Sequence, residues 1–530
     1  MQGYQHIVPK IFYQVSLNEL VPEDNFYRKL DDCLDLRFLY DAIAHYYGRE
    51  GQESIDPVVF FKILLVGYLN NINSDRRLIG FCSDSLSVRL FLRYDIDDSL
   101  PWHSTISRTR QLYGEGVFLE LFQQVLRLCV EKGMVRGRRQ AVDSAFIKAN
   151  ASLDSLVEKE VMNDVESYAE ELNEGSEYKV SKARKKQVDR HHAWKAKAYK
   201  DMPGNVKTAQ KDELGNEIRP KYLSNHTHYS PTDPDAKISV KPGKARQLNY
   251  SGQLAVDDAH HVITGSCAST AGSKDSENLP EILDQTQANM ARVGLEIDQI
   301  AADAGYSSGK ALEYCEQHGI DAYIPNFGLY KPDRPGFEYN NEADRFECKK
   351  QGGQGAHLTY KGIKTDSKGY DKKQYRSSES DCAKCPLRMQ CCGQVTKFKK
   401  IEESIHKPLY DRMHQKLSHN PQYTRKISKI RSRTVEPVLG TLINFFNMKK
   451  INSRGMAQAN KHVLMAALTY NLKKYLKFTR LKTITIAHQM PGFQETLQNS
   501  HFMPSICVTR TRQILTSPNS TEKLTSPKGP

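Results

Sequence analysis

Three carboxylates far apart in the chain could meet in one site. Asp143 lies in a β-like run at 137–147. Asp303 closes a strand read at 297–303, just before Gly305 and a helix start, and ligands collect at the carboxyl ends of strands in α/β sheets. Glu436 stands at the head of an apolar helical pattern, Val435, Val438, Leu439, Leu442, Phe445 and Phe446. Proline fits only the first turn of a helix, because deeper it breaks the hydrogen-bond ladder. Pro437 therefore sets the helix start near Thr434, with Glu436 at the positive end of the dipole and Arg431 and Arg433 just upstream. Two aspartates and a glutamate drawn together offer hard oxygen ligands for two divalent cations. Such a pair clamps the attacking and leaving oxygens of an in-line phosphoryl displacement. Taken singly, each acid reads as a cap, a turn residue or a partner of the dipole; the ordered trio is what points to a site. Asp257 and Asp258, between two strand patterns, read as turn residues.

Sulfur offers a second chemistry. Cys382, Cys385 and Cys391 form a Cys-x2-Cys-x5-Cys arrangement, with Cys348 upstream. Four thiolates, Cys348, Cys382, Cys385 and Cys391, could hold one tetrahedral zinc and staple a segment poor in apolar residues, with Cys392 as another choice of fourth ligand. The other reading is reduced thiols packed as small apolar side chains. A catalytic zinc is not expected, since no acid, base or open position accompanies the thiols.

Basic residues suggest a polyanion. Arg108 and Arg110 sit in a short helix at 105–113 and could reach phosphate or a guanine edge from a helix-turn-helix-like domain; the alternative is a solvated helix packed on its neighbours. The run 182–200, with Lys185 and Lys186 beside His191, His192 and Trp194, suits backbone contact with some stacking, or else is a solvated helix or mobile loop. Arg433 could share a helix face with Glu436, as a phosphate contact or as its ion-pair partner.

The elements that must position these residues follow from periodicity. After an N-terminal segment, 1–30, residues 31–135 read as an all-helical domain, including helices at 74–81, 84–92 and 116–132. Residues 136–326 alternate strand and helix: a strand at 137–147, a polar insertion at 154–235, a hairpin at 247–269, a helix at 276–293 whose regular part starts near Pro280, then the Asp303 strand, a helix to 317 and a strand at 320–324. Residues 327–400 lose periodicity and form a Cys-rich insertion. Residues 401–480 read as helical, at 402–416, 434–448 and 455–476, and 481–530 as a tail, disordered from about 500.

Composition bounds the rest. The chain has 530 residues, 76 Lys and Arg against 62 Asp and Glu, a net charge of +14 and 39% apolar residues, which excludes wholesale disorder. No apolar run reaches the roughly 18–20 residues of a membrane span, and the first ten residues lack an export pattern. Eleven cysteines, an odd number, read as reduced cytosolic thiols.

Several runs carry a resemblance. Ala141-Val142-Asp143-Ser144, Thr232-Asp233-Pro234-Asp235-Ala236, Ala301-Ala302-Asp303-Ala304-Gly305-Tyr306, Arg433-Thr434-Val435-Glu436-Pro437-Val438-Leu439-Gly440 and Ala466-Ala467-Leu468-Thr469-Tyr470-Asn471-Leu472 occur in order. From about residue 10 to 480 the chain resembles insertion-sequence DDE transposases, the IS-eleven-eighty-two group of the IS-four superfamily. That resemblance implies an α/β fold: a ribonuclease H-like mixed-sheet core with an N-terminal all-helical domain. It implies Asp143, Asp303 and Glu436 as catalytic Mg²⁺ (or Mn²⁺) ligands, and it places similar cysteines in the Cys-rich segment. Its expected partner is double-stranded DNA, both element ends and target, bound by a homodimer or larger assembly in the bacterial cytoplasm, at the nucleoid and not at a membrane. One departure stands out. Related transposases carry Tyr-x2-Arg-x3-Glu-x6-Lys around the Glu, where this chain has Lys429, Ser432, Glu436 and Ile443. Arg431 or Arg433 would then take the Arg role, and Lys449 or Lys450 would reach DNA. Two other readings fit the same residues: a DNA-binding protein without catalysis, decayed or domesticated, and a metal nuclease without strand transfer.

Overall fold

The computed structural model describes residues 14–158, 228–239, 246–349 and 356–489, except 49, 52, 329, 367 and 368, with short pieces at 210–211, 217–218 and 225; side chains are described to 478. Most of the insertion expected at 154–235, with Lys185 and Lys186, and the tail from 490 lie outside the described residues. The chain divides into two compact units. One holds 1–133 with 444–447 and 464–530, the other 134–443 with 448–463.

The first unit is helical: α1 Leu17–Leu20, α2 Phe26–Cys33, α3 Phe38–Ile43, α4 Pro57–Leu69, α5 Asp75–Asp84, α6 Leu86–Leu92, α7 His103–Leu112 and α8 Glu115–Glu131. α4 is its central rod. Asp56 caps it, accepting from Val58 N at 2.7 Å and Val59 N at 3.1 Å, and Pro57 opens it where no intrahelical donor is needed. Residues 60–68 of α4 are all buried, Lys62 included. Its ammonium is satisfied by Asp31 at 2.5 Å and the Phe91 carbonyl at 2.7 Å, which is what makes a buried lysine tolerable. Phe60 and Phe61 of α4 make edge and stacked ring contacts with Tyr113 and Phe118.

The second unit is built on a mixed sheet. β1 Arg139–Lys148, β2 Lys237–Ser239, β3 Gln247–Asp257, β4 Ile263–Thr270, β5 Gln299–Ala301 and β6 Asp321–Tyr323 assemble in the order β6-β5-β1-β3-β2, with β4 also on β3. β5 runs parallel to β1, and β6 to β5; β3 is antiparallel to β1, β2 and β4. β3 is buried at every position but its first, the mark of a strand covered on both faces. α9 Asp275–Ala291 packs on β4 and β3, and α10 Gly309–Gln317 packs on α9. The expected turn role of Asp257 is realised inside the fold. Fully buried, it accepts from Gly137 N at 2.9 Å and Ala259 N at 3.0 Å and so ties the start of β1 to the β3–β4 turn.

Four expectations need correction. The stretch 327–400 is not aperiodic: β7 Phe337–Asn340, β8 Arg345–Cys348, β9 His357–Thr365, β10 Asp371–Ser377 and β11 Lys400–Ser404 form an antiparallel meander in chain order, with α11 Glu379–Ala383 and α12 Arg388–Cys392 between β10 and β11. Residues 400–404 are strand, so the helix expected from 402 begins later, as α13 Lys407–His419. The helix expected to start at Thr434 is the last half of α14 Pro421–Phe445, and Pro437 sits inside it. An interior proline costs about 3 kcal/mol in a bare helix. Here Thr434, Val435, Val438, Leu439 and Leu442 are buried on one face, and that packing overrides the local preference. Pro280 lies inside α9 in the same way, and α9 starts upstream of it. α15, Met456–Gln489, closes the described chain; Asp235 Oδ2 caps its first turn, accepting from Met456 N at 2.8 Å.

Candidate active site

β1 and β5 bring the two aspartates together. Ala141 of β1 lies opposite Ala301 of β5 in parallel register, and each aspartate follows two residues later, so Asp143 and Asp303 leave neighbouring strands at the same level. Asp303 Oδ1 accepts from Gly305 N at 2.8 Å and caps a short turn over Ala304–Tyr306. Asp143 is 18% exposed; its Oδ1 accepts from Ser144 N at 2.8 Å. Burial pushes the Asp143 carboxyl above its usual range and the charge of Asp303 adds to this, while the Ser144 amide and Arg431 oppose it.

Glu436 reaches the pair through an arginine. On α14, Arg431 donates from Nη1 to Asp143 Oδ2 at 3.0 Å and from Nη2 to Glu436 Oε1 at 3.3 Å. Arg431 is 14% exposed, whereas Glu436 is 56% exposed. Glu436 is thus mid-helix, not at a helix N-terminus, and the dipole does nothing for it. The ion pair considered for Arg433 belongs to Arg431; Arg433 is exposed on the same helix. Among the described residues, no three His, Cys, Asp or Glu side chains stand close enough to hold a metal ion. Still, the donor set is three carboxylates with no sulfur, which suits a hard divalent cation, and the group lying between two of them is itself a cation.

The other expected residues lie elsewhere. Lys449 and Lys450 are exposed just beyond α14, where the Lys449 carbonyl accepts from Lys148 N at 3.1 Å at the end of β1. In the helical unit, Arg108 is exposed on α7. Arg110 is only 12% exposed and makes a forked pair with Asp75, at 2.9 and 2.7 Å, that fastens α7 to α5. Trp102, the residue before α7, is 77% exposed, and no sequence signal singled it out.

The cysteines converge more loosely. Cys348, Cys382, Cys385, Cys391 and Cys392 line one cavity of about 30 Å³ beside the meander core of Phe346, Leu358, Tyr375 and Ile401. All five are half-buried and outside any disulfide. Burial, with Cys382 and Cys391 nearby, pushes the Cys392 thiol up to about 11.

Sequence reasoning missed four residues that stand behind the acids. Ser144 Oγ donates to Asp275 Oδ1 at 2.7 Å, Gln253 Nε2 approaches the same oxygen at 3.4 Å, and the buried Tyr306 hydroxyl donates to Gln253 Oε1 at 2.6 Å. The only sequence signal was adjacency, since Ser144 follows Asp143 and Tyr306 ends the turn that Asp303 caps.

Two known families match the chain. Residues 15–112 match the model of a transposase domain, DUF772, and residues 353–476 match the model of a transposase DDE domain. The two matches support a transposase. The DDE match takes in α14 with Arg431 and Glu436 but neither aspartate, and the other match spans α1 to α7. No curated protein compared with the chain matches it. No helix among the described residues is long and apolar enough to cross a membrane.

Proposed function

We propose that this chain is the transposase of a bacterial insertion sequence of the IS-eleven-eighty-two group, acting in the cytoplasm on double-stranded DNA at element ends and target. The observation that carries the reading is that Asp143 on β1 and Asp303 just beyond the end of β5 each follow the parallel Ala141–Ala301 pair by two residues, with Arg431 linking Asp143 to Glu436. The strand order, an antiparallel β1-β3-β4 meander continued by parallel β5 and β6, supports a ribonuclease H-like core. The net charge of +14 favours a polyanionic partner.

In this reading Asp143, Asp303 and Glu436 would hold Mg²⁺ or Mn²⁺, which when bound would supply Lewis-acid activation of the nucleophile and charge neutralisation at the phosphate. The chain's own residues do the rest. Arg431, released from Asp143 and Glu436, is placed to pair with a phosphate oxygen of the strand being cut, a geometry that guanidinium suits. Exposed Arg433, Lys449 and Lys450 hold the flanking backbone, and Arg108 holds the element end. In the first step water adds to phosphorus, the P–O3′ bond breaks and the 3′ oxygen leaves as a hydroxyl. In the second step that hydroxyl attacks a target phosphodiester: a new O3′–P bond forms, the target's own P–O3′ bond breaks, and the target 3′ oxygen takes up the proton and leaves as a hydroxyl. Pairing two ends requires a homodimer or larger assembly. Cys348, Cys382, Cys385 and Cys391, with Cys392 as the other choice of fourth ligand, would hold a structural zinc that staples the meander; that they line one cavity supports this reading.

Cleavage and joining of end DNA in Mg²⁺ test the reading. Asp143→Asn is expected to lower both by roughly a thousandfold or more, while end binding in a gel shift is kept. Full activity of this variant would overturn the assignment. Cleavage without joining by the native chain would leave a nuclease.

A further inference from the structure

Successive side chains of a strand point to opposite faces. Asp143 and Ser144 are consecutive in β1, and the β1–β3 register is unbroken there, with Ser144 opposite Gln253. Ser144 and Gln253 therefore share the face of the sheet that Asp143 does not use. On that face Asp275, the first residue of α9, accepts from Ser144 Oγ at 2.7 Å and, more weakly, from Gln253 Nε2 at 3.4 Å, an amide that also donates to Ser251 Oγ at 3.1 Å and Ser269 Oγ at 3.4 Å. Gln253, buried, takes the Tyr306 hydroxyl on its other amide atom at 2.6 Å. Tyr306 ends the turn that Asp303 caps. The second Asp275 oxygen approaches the same turn: a Cβ added at Gly305 would lie 3.5 Å from Asp275 Oδ2 and 2.9 Å from Asp303 Oδ1. Side chains from α9, β1 and β3 thus meet the Asp303 turn in one short network.

We propose that Asp275 is a positioning residue of this site: by holding Ser144 and Gln253, and through Gln253 the Tyr306 hydroxyl, it fixes the β1 segment of Asp143 against the turn of Asp303. The proposal rests on the reading of Asp143 and Asp303 as the cation-holding acids and adds the group that sets the interval between them. Neither acid has a bond to the other: Asp143 is held by the Ser144 amide and by Arg431 from α14, and Asp303 by the Gly305 amide. Two such carboxylates keep a useful separation only if the backbone segments that carry them are themselves locked. Asp275 lies where a lock must lie. The surroundings agree, since burial, then the charges of Asp275, Asp143 and Asp303, hold the Tyr306 phenol well above its usual range, so it stays a neutral donor to Gln253.

Asn at 275 keeps a carbonyl oxygen for the Ser144 hydroxyl and gives up the charge; Ala gives up both. Asp275→Ala is expected to lower the kcat of end cleavage about a hundredfold, the size seen when partners behind metal ligands are removed, with KM for end DNA changed less than about twofold. Mn²⁺ affinity of the DNA-free protein, read by calorimetry, is expected to weaken about tenfold in the same variant. Asp275→Asn is expected to return to within about fivefold of the native chain in both readouts. Ser144→Ala, which removes one oxygen and no charge, is expected to fall between them, and it serves in place of Asp275→Ala should that variant lose its thermal transition. Native behaviour of Asp275→Ala or Ser144→Ala overturns the proposal. So does an Asn variant as impaired as the Ala variant, because the charge and not the bond would then matter. Asp143→Asn, run alongside, separates the two failures. If it still cleaves, the site reading is wrong; if it is dead while Asp275→Ala is unimpaired, only the positioning role is lost.

Discussion

The acids and the thiols are both collected from distant parts of the chain, but by different means. Asp143 and Asp303 issue from strands at the centre of a mixed sheet, and Glu436 from a helix whose opposite face is buried. The five cysteines sit on a strand end, on two five-residue helices and, for Cys385, in the turn between those helices, half-buried, over a meander whose buried apolar core is four side chains. The acid geometry is therefore a consequence of the fold. The thiol geometry has little beneath it and would be set by whatever the thiols hold. A substitution in the first region should change chemistry and spare the fold; in the second it should change the fold locally.

The sharpest way to break this contrast is Asp303→Asn. Cleavage in Mg²⁺ is expected to fall roughly a thousandfold or more, with amide-exchange protection of β1 and β3 unchanged. Widespread loss of protection would make Asp303 a structural residue. Next in size, Cys382→Ser with Cys385→Ser is expected to abolish co-purifying zinc and to cut protection of Phe346, Leu358 and Tyr375 about a hundredfold, leaving β3 as it was. A native chain without zinc, and with protection insensitive to chelators, would make the thiols ordinary packing. In the helical unit, Arg110→Ala is expected to cost about 2 kcal/mol in urea unfolding, because it removes the largely buried forked pair with Asp75 that fastens α7 to α5. Smallest of these, Arg108→Ala is expected to weaken end binding by about 1 kcal/mol and to lower the salt slope by about one, with no change in stability.

What the sequence made legible follows the same divide. The strands of Asp143 and Asp303 and the β3–β4 hairpin could be read because they are apolar runs in a doubly covered sheet. The meander could not: only Phe346, Leu358, Tyr375 and Ile401 give it a buried side, and β9 is exposed at five of nine positions, so no alternation survives. The head of α14 was misplaced because a local rule about Pro437 met a helix held by tertiary packing. Arg110 looked like a free base at a helix surface, and nothing in its neighbours announced Asp75, thirty-five residues away. Asp275 was hidden for a related reason: an acid in a first helical turn needs no partner to explain it.

The central claim is that Asp143, Asp303 and Glu436 share divalent cations. Anomalous diffraction from Mn²⁺ in crystals of the chain with its end DNA tests it most directly. Two peaks roughly 4 Å apart, within bonding distance of the Asp143 and Asp303 carboxylates, with Arg431 turned away from Asp143, are the expected result. Peaks elsewhere, or none while Arg431 still bridges Asp143 and Glu436, would contradict it.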